Sequence, residues 1–343
     1  MTVIAFQCPS CGGSMGFDSE SGMLACQSCG RREEIDPFKD TQKQSVFTEG
    51  EAEQYHCSNC GADIITEPET TATSCAFCGS NVVLGDRLAG KLAPVQVIPF
   101  AISKEEAQRA FKKWCRNGLM TPGGFMTANR IQSIQGIYVP FWLYDLHHDI
   151  EVRANATRVR MYSDGDYQYT ETQHFDVYRG IVLDYLKVPA DASEKMNDEL
   201  MDKLEPYPYE KLTPFATPYL AGYLAEKYTY TNRELLPRAQ EKIASYVESY
   251  IHSTMDGYQS VMYRSKDVLA SVKRADYTLL PVWMVKYDYK GKTYTFAMNG
   301  QTGKVVGKPP LSRGKMALWF GGVFLAVLLG MKSISLSMGG GFW

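Results

Sequence analysis

Eight cysteines in two identical frames constrain this chain more than any other feature. In each frame, a Cys-x-x-Cys pair is followed by fourteen residues and a second Cys-x-x-Cys pair, and the second frame repeats the first forty-nine residues later. The frames consist of Cys8, Cys11, Cys26 and Cys29, and of Cys57, Cys60, Cys75 and Cys78. Four thiolates at this spacing can complete a tetrahedron around one ion. The sequence therefore predicts two tandem zinc ribbons that hold two structural Zn²⁺ ions.

Other uses of these cysteines fit less well. Disulfides need an oxidising compartment, and residues 1–7 lack the charged start and apolar run of a secretory signal. Iron suits the same four sulfur atoms, so the identity of the metal stays open.

The ninth cysteine, Cys115, follows Trp114 on a predicted helix, where packing is its simplest role. His147 and His148 are neighbours that would point to opposite faces of a strand, so they cannot chelate one ion.

The length of 343 residues allows a sizeable core with small accessory modules. We expect zinc ribbon 1 at 1–33, a linker at 34–53, zinc ribbon 2 at 54–85, an α+β body at 90–310, and a basic flank, transmembrane helix and short tail at 311–343.

The charge distribution bears on the kind of partner. Residues 1–90 carry five Lys or Arg against thirteen Asp or Glu, although the whole chain has a net charge of only −2. Binding to nucleic acid needs a basic face, which these acidic ribbons do not offer. The charge pattern therefore favours protein docking. A ribbon that only stabilises the fold remains the simpler alternative, because modules this small need a metal to fold.

The C-terminal segment combines apolar residues with positive flanks. No acidic residue follows Asp288, and residues 316–331 are uncharged. As a helix, those residues would span about 24 Å, and Lys332 could extend the span by reaching the interface. We expect a single-pass anchor in the cell membrane with a cytoplasmic body, since basic residues precede the span. A buried core helix is the competing interpretation. Small residues at Gly322, Ala326 and Gly330 would permit self-association of such a helix.

The body shows mixed periodicity. Ser103 and Glu106 form a capping box ahead of a helical pattern. Alternation over residues 150–157 predicts a strand, which a turn at 163–166 joins to a second extended run ending near Tyr178. Helical spacing returns at residues 243–251, and Pro237 is placed to open that helix. Turns at 290–291 and at 299–303 close the body with hairpins.

Two body segments resemble each other. The sequence VPFWL at residues 139–143 is echoed by LPVWM at 280–284, and each follows a helical pattern. This repetition suggests a duplicated helix–strand unit. The prolines imply edge or entry positions in the strands, and the tryptophans are expected to anchor the core.

No residue pattern indicates catalysis. The GQTGK run at 300–304 lacks the spacing of a phosphate-binding loop, and no nucleophile motif or open three-ligand metal site is present. Closed four-cysteine sites are typical of structural metals. We therefore expect a protein that is not an enzyme.

The order of these parts resembles a known family. Cys8-Pro-Ser-Cys11-Gly-Gly and Cys57-Ser-Asn-Cys60-Gly, the body segments around Pro140 and Pro281, the NGQTGK run at 299–304 and the C-terminal span are similar to bacterial TFIIB-type zinc-ribbon membrane proteins. Those proteins are encoded beside a phage-shock protein A homologue and a stomatin/prohibitin-like protein. The resemblance implies a membrane-anchored adaptor that recruits such partners in a membrane-stress response. Some members are labelled replication helicases, but this chain lacks an ATP-binding loop.

Two functions follow as hypotheses. The first is a non-enzymatic adaptor that brings soluble proteins to the cytosolic face of the membrane. The second is a membrane-tethered nucleic-acid or transcription-linked ribbon protein. The acidic ribbons favour the first.

Overall fold

The computed structural model describes residues 3–36, 55–57, 59–64, 66, 69–75, 78, 80–88, 93–117, 121–122, 134–289 and 291–337. These residues form strands and helices over most of their length. The strands are β1 Val3–Ile4, β2 Met15–Asp18, β3 Met23–Cys26, β4 Arg32–Glu33, β5 Tyr55–His56, β6 Asp63–Ile64, β7 Thr70–Ser74, β8 Asn81–Leu84, β9 Gln96–Val97, β10 Gln135–Asp164, β11 Tyr167–Asp191, β12 Thr213–Pro214, β13 Leu224–Glu226, β14 Ser260–Tyr289, β15 Lys292–Asn299 and β16 Val305–Gly307. The α-helices are α1 Lys104–Asn117, α2 Asp198–Leu204, α3 Asn232–Ser253 and α4 Arg313–Ser337.

One large sheet connects most of the chain. Its strands follow the order β1, β8, β7, β13, β10, β14, β15, β16, and β11 pairs antiparallel with β10 further along that strand. The strands β9 and β13 each add a short parallel pairing, to β14 and β10 respectively. Two small sheets, β2-β3-β4 and β5-β6, belong to the two cysteine frames. The expected α+β body is thus present, and its sheet extends into the ribbons.

The central strands are unusually long. β10 and β14 each have 30 residues, so each runs to about 100 Å if fully extended. Their distal parts and β11 form a three-stranded arm, here defined as residues 145–186 and 260–274. The helix α3 packs on one face of the arm, where Ile150, Val152 and Ala154 are buried. The opposite face carries alternating exposed residues such as Glu151 and Arg153.

The strand predicted at 150–157 is present but is part of a much longer element. The turn at 163–166 joins β10 to β11, and β11 continues past the expected end near Tyr178 to Asp191. Its cross-strand pairing with β10 continues, and Gly180 pairs with Glu151 without a break in register. The strand ends only where pairing with β10 ends, so pairing decides the boundary here.

The start of α3 differs from the expectation based on Pro237, which lies inside the helix. The helix begins with a capping box at Thr231. The Thr231 amide donates to Glu234 Oε2 (2.7 Å), and the Glu234 amide donates to Thr231 Oγ1 (3.4 Å). Two free amides at the helix start are thereby satisfied. Pro237 lies beyond the first turn and has no N–H to donate to the Arg233 carbonyl.

The body core packs α1 against the large sheet. Phe111 is fully buried there, and Trp114 meets Phe296 edge-on with 5.2 Å between ring centroids. Trp283 is 3% exposed, and Trp142 is half-buried between Tyr228 and Tyr277. Both tryptophans of the repeated segments therefore act as core anchors.

The two prolines of these segments lie inside long strands. The Pro140 carbonyl accepts a hydrogen bond from the Ala192 amide, and the Pro281 carbonyl accepts one from the Gly300 amide, each at 2.9 Å. The nitrogen and the carbonyl of a strand residue point to the same side of the strand. The nitrogen of each proline, which carries no hydrogen, therefore points to the end of a neighbouring strand, β11 for Pro140 and β15 for Pro281. Each proline thus lies beside a local edge, as its lack of a donor requires.

The C-terminal helix α4 stands apart from the core. Residues Arg313–Ile334 form a 22-residue stretch with mean hydropathy 1.8, and none of it is buried. Among the described residues, this is the one helix that is both long enough and apolar enough to cross a membrane, and it spans about 33 Å. The competing expectation of a buried core helix does not fit this exposure. Near its start, Lys315 Nζ donates to the Thr121 carbonyl (2.7 Å).

Candidate metal centres

Tight turns position the first pair of cysteines in each frame. In the first frame, the Gly12 amide donates to the Cys8 carbonyl (2.8 Å), and the Cys8 amide donates to the Gly13 carbonyl (2.8 Å). The second frame repeats the first of these bonds between Gly61 and Cys57 (2.7 Å). Gly12 and Gly61 have φ of 72° and 74°, a conformation that glycine adopts without steric cost. These turns bring both thiols of a pair to one side of the chain.

The sulfur atoms of each frame converge on one point. In the first frame, Cys8 Sγ lies 3.6 Å from Cys29 Sγ, and Cys11 Sγ lies 3.5 Å from Cys26 Sγ. All four ligand atoms of each frame lie within 4.8 Å of one another. A zinc ion with four bonds of about 2.3 Å requires sulfur atoms about 3.8 Å apart. The first frame therefore fits one tetrahedral ion.

The second frame has the same geometry. Cys57 Sγ and Cys78 Sγ are 3.7 Å apart, and Cys60 Sγ and Cys75 Sγ are 3.8 Å apart. In both frames one cysteine of each pair is buried and the other is exposed. The structure thus brings together all eight cysteines that the sequence assigned to metal, in two closed sets of four. Iron would meet the same sulfur atoms, and the geometry does not separate it from zinc.

Polar neighbours favour the thiolate form in the second centre. Ser80 Oγ lies 2.9 Å from Cys78 Sγ, and Asn59 Nδ2 donates to the same sulfur atom at 3.5 Å. These two hydrogen bonds lower the pKa of Cys78 to about 5. Asn59 also donates to Ser80 Oγ (2.8 Å), which fixes both groups beside the sulfur atom. Such second-shell hydrogen bonds hold ligands in place and are common around protein metal sites.

The first centre relies on backbone amides instead. The amide of Cys29 lowers the pKa of Cys26 to about 6. The pKa of Cys11 is raised to about 12, because the neighbouring sulfur atoms of Cys29 and Cys26 outweigh the lowering effect of the Gly13 amide. A metal ion would remove this repulsion by binding all four sulfur atoms as thiolates.

The first ribbon docks on the body through side-chain packing and backbone hydrogen bonding. Phe17 on β2 enters the main core and meets Tyr219 edge-on, with 5.4 Å between ring centroids. Its amide donates to the Ala221 carbonyl (2.8 Å). Asn81, at the start of β8, donates to the Met15 carbonyl (3.2 Å) and so links the two ribbons.

The second ribbon is continuous with the body sheet. Its strand β7 pairs with β13, which pairs in turn with β10. The other strand of its hairpin, β8, pairs with β1 ahead of the first ribbon. Ala72 and Val83 from this hairpin belong to the main body core. The domain boundaries expected from the sequence remain a prediction. The structure shows that the second ribbon and the body share one sheet.

The remaining candidate residues lie elsewhere. His148 is 4% exposed on the α3 side of β10, while His147 Nδ1 lies 2.7 Å from Asp184 Oδ1 on the opposite face. This confirms that the two histidines point apart. The 300–304 run forms the β15–β16 turn, where the Gly303 amide donates to the Asn299 carbonyl (3.0 Å). The side chain of Cys115 lies outside the described residues.

A partly buried polar cluster lies under α3, and the sequence pattern does not indicate it. Lys242 Nζ donates to Asp202 Oδ1 (2.7 Å), Glu205 Oε1 (2.8 Å) and the Pro189 carbonyl (2.8 Å). Nearby, Asp191 is 1% exposed, and burial raises its pKa to about 7. No local sequence pattern predicts these contacts, because the partners come from α3, β11 and the C-terminal end of α2.

These features define a class: a protein with two four-cysteine centres suited to zinc, an α+β body and one apolar C-terminal helix. The chain is 59% identical over 340 residues to the "uncharacterized protein YdjG" of Bacillus subtilis (strain 168), across 99% of this chain and 100% of that protein. The chain therefore belongs to the family of that protein. No protein-family model matches it. No solved structure matches it either.

Proposed function

We propose that this protein is a non-enzymatic adaptor that is anchored by α4 and recruits soluble proteins to the cytosolic face of the cell membrane. The observation that carries the proposal is the full exposure of a 22-residue apolar stretch beside a well-packed body. Exposing that much apolar surface to water is unfavourable, so a bilayer is the natural surroundings of α4. The basic residues before it and the lack of acidic residues after Asp288 support a cytosolic body.

The metal centres support binding over chemistry. Each offers four thiolates and no open position for a substrate, so the metal, which we propose to be zinc, stabilises the fold. The ribbons are acidic, and an acidic surface favours partners with basic patches. The resemblance to zinc-ribbon membrane proteins suggests phage-shock protein A-like and stomatin/prohibitin-like partners, and a role in membrane stress.

Recruitment is best tested in cells. A fluorescent phage-shock protein A homologue should lie at the membrane when the full chain is present and become diffuse when it is absent. Replacing Cys57 and Cys60 with serine should also release it, whereas Cys115→Ser, outside both frames, should not. Unchanged membrane localisation in all strains would reject the adaptor. Tight DNA binding by the full chain at physiological salt would favour the membrane-tethered nucleic-acid function instead.

The anchor has a separate test. A chain that ends at residue 312 should leave the membrane fraction and still bind two metal ions. A truncated chain that resists extraction by salt and carbonate would place the anchor elsewhere.

We also propose that the body contains two copies of one unit, residues 96–191 and 224–299. Each unit has a short strand, a helix, a long strand and a further antiparallel strand. The units interlock: β9 of the first runs parallel to β14 of the second, and β13 of the second runs parallel to β10 of the first. The long strands pair so that Pro140 faces Leu279 and Tyr138 faces Pro281, as a two-fold relation between the units requires.

Crossed side-chain contacts support the same relation. Trp142 Nε1 donates to the Tyr230 carbonyl (2.9 Å), and Trp283 Nε1 donates to the Ile102 carbonyl (3.0 Å). Each acceptor directly precedes the capping-box residue of the other unit's helix, Thr231 or Ser103.

The last strands of the two units end alike. Asp191 faces Phe141 and Asn299 faces Val282, the same position of each unit. Asp191 Oδ1 accepts the Ser193 amide (3.1 Å), and Asn299 Oδ1 accepts the Gln301 amide (2.9 Å).

The two side chains differ in one respect. Asn299 Nδ2 donates to the Leu204 carbonyl (3.1 Å), whereas Asp191 Oδ2 has no hydrogen-bond partner among the described residues. The equivalent position thus holds a fully hydrogen-bonded amide in one unit and, among the described residues, a buried carboxyl with one unpaired oxygen in the other.

A further inference from the structure

The two edges of the arm are built differently. The β14 edge is interrupted by bulges at Arg264 and Lys273, where the register with β10 shifts. Bulges and charged residues at an edge discourage pairing with another strand. The β11 edge has no such bulge: from Tyr167 to Tyr185 its register with β10 is unbroken, and its charged residues are of both signs. Among the described residues, β11 pairs only with β10, so this long edge has no strand beside it.

The backbone groups that face outward on β11 can be assigned from the tip of the arm. Gln259 binds both backbone groups of Val159, accepting its amide (2.9 Å) and donating to its carbonyl (3.2 Å). Gln259 directly precedes β14, so Val159 turns its backbone groups away from β11. Its cross-strand partner, Thr172, must then direct its own amide and carbonyl outward. By alternation, the even-numbered residues of this stretch direct their amides and carbonyls outward along the edge, where the Tyr178 carbonyl accepts from Arg179 Nη1 (3.0 Å).

The composition of this edge favours pairing. Residues 167–185 contain no proline and no lysine and are rich in Tyr, Thr, Val and Ile, which favour strands. Exposed apolar side chains flank the free backbone groups: Tyr178 is 54% exposed and Val182 is 63% exposed. A long, regular, exposed edge of this kind pairs readily with a further strand.

The β11 sequence is complementary to itself. A two-fold axis beside Phe175 would lay β11 antiparallel to the same strand of a second copy and keep matching faces together. Glu171 would then face Arg179 of the second copy, and His174 would face its Asp176. Tyr169 would face Ile181, an aromatic–aliphatic pair of a kind that stabilises sheets. Between residues 167 and 183 no like charges would meet, and opposite-charge pairs contribute favourably across strands.

We propose that β11 pairs edge to edge with β11 of a second copy of this chain, joining two arms into one six-stranded sheet. The interface is isologous, as expected for a two-fold dimer. Anchoring both copies in one membrane would raise their effective concentration and favour the pairing. This inference concerns assembly and does not depend on which soluble protein the chain recruits.

Residue-resolved hydrogen exchange of the full chain in detergent micelles tests the proposal. Without a partner strand, the amides of Thr170, Thr172, His174 and Asp176 face water, while the odd-numbered amides between them bond β10. In the dimer all of them are bonded. Raising the protein concentration should therefore slow exchange of the even-numbered amides by about tenfold or more and leave the odd-numbered ones slow throughout.

Matched variants identify the edge. Thr172→Pro removes one outward amide and should abolish this concentration-dependent protection, whereas Thr172→Val keeps the amide and should retain it. Ala270→Pro at the outward side of β14 should also retain it, since Ala270 faces His148, whose backbone groups point toward β11. Two bound metal ions per chain, together with slow exchange of the odd-numbered amides that bond β10, would show that the ribbons and the arm of each variant are folded.

Several outcomes would overturn the proposal. Rapid exchange of the even-numbered amides in protein that is self-associated by mass would show that α4 or another surface joins the copies. Rapid exchange in protein that stays monomeric would show that the edge remains open. Slow exchange independent of concentration and unaffected by Thr172→Pro would show that the chain covers its own edge.

Discussion

The two ribbons share one cysteine frame but are attached to the body in different ways. The first forms its own small sheet, β2-β3-β4, and docks through Phe17 and its amide. The second contributes its hairpin β7–β8 to the large sheet through β13. The same metal-binding frame can therefore serve as an attached module or as part of the body. The second metal should matter more for the stability of the whole protein.

The largest effect is expected from breaking the second centre. Cys75→Ser removes a buried ligand directly after β7, and metal binding in such a site is coupled to folding. We expect loss of one metal ion and destabilisation of the body by several kcal/mol, because β7 holds β13 in the sheet. Thermal unfolding and hydrogen exchange of β13 would measure this. An unchanged body would mean that the second ribbon is as separable as the first.

Breaking the first centre should have a more local effect. Cys26→Ser should also remove one metal ion, unfold the first ribbon and leave the second centre loaded, since the frames share no ligand. Exchange should rise in β2 and β3 but not in β13. Loss of both metals from this variant would show that the two ribbons fold as one unit.

Detaching the first ribbon without removing its metal separates docking from folding. Phe17→Ala empties a buried aromatic site against Tyr219, which should cost about 3–5 kcal/mol. Because the cysteine frame is untouched, both metal ions should remain bound. Metal analysis together with thermal unfolding would check this, and a lost metal would link docking to the centre itself.

The smallest effect concerns the two strand ends, Asp191 and Asn299. Burial raises the pKa of Asp191 to about 7, so its contribution to stability is greatest below the unfolded-state pKa of about 3.9 and is lost as pH rises to about 7. Between pH 6 and pH 8.5 this loss amounts to about 1 kcal/mol. Asp191→Asn should remove it, so the stability of the variant relative to the natural protein should rise over this range. Parallel pH dependence of thermal unfolding in both proteins would contradict the assignment.

The metal centres could be predicted from the sequence because all their ligands lie in two short frames. Each Cys-x-x-Cys turn is local, and only the joining of two pairs is left to the fold. The capping box at Ser103 could also be predicted, because Ser103 and Glu106 are only three residues apart in the sequence. Thr231 and Glu234 carry the same local capping-box signal, so the helix start predicted from Pro237 was wrong.

The arm could not be predicted because its pattern depends on what covers it. Alternation is visible only over residues 150–157, where α3 buries one face of β10. Beyond Thr157 the apolar residues Val159 and Met161 change to the other face of β10, so the alternation does not continue in one phase. The insertion of Phe17 and the burial of Asp191 likewise depend on distant elements, which no local spacing reveals.

We infer that each frame is a complete, closed metal centre for one ion. Elemental analysis of the purified full chain tests it most directly. We expect two equivalents of zinc per chain, falling to one in Cys26→Ser and staying at two in Cys115→Ser. One equivalent of metal in the natural protein, or disulfide bonds within a frame, would contradict it, whereas two equivalents of iron would change only the identity of the metal.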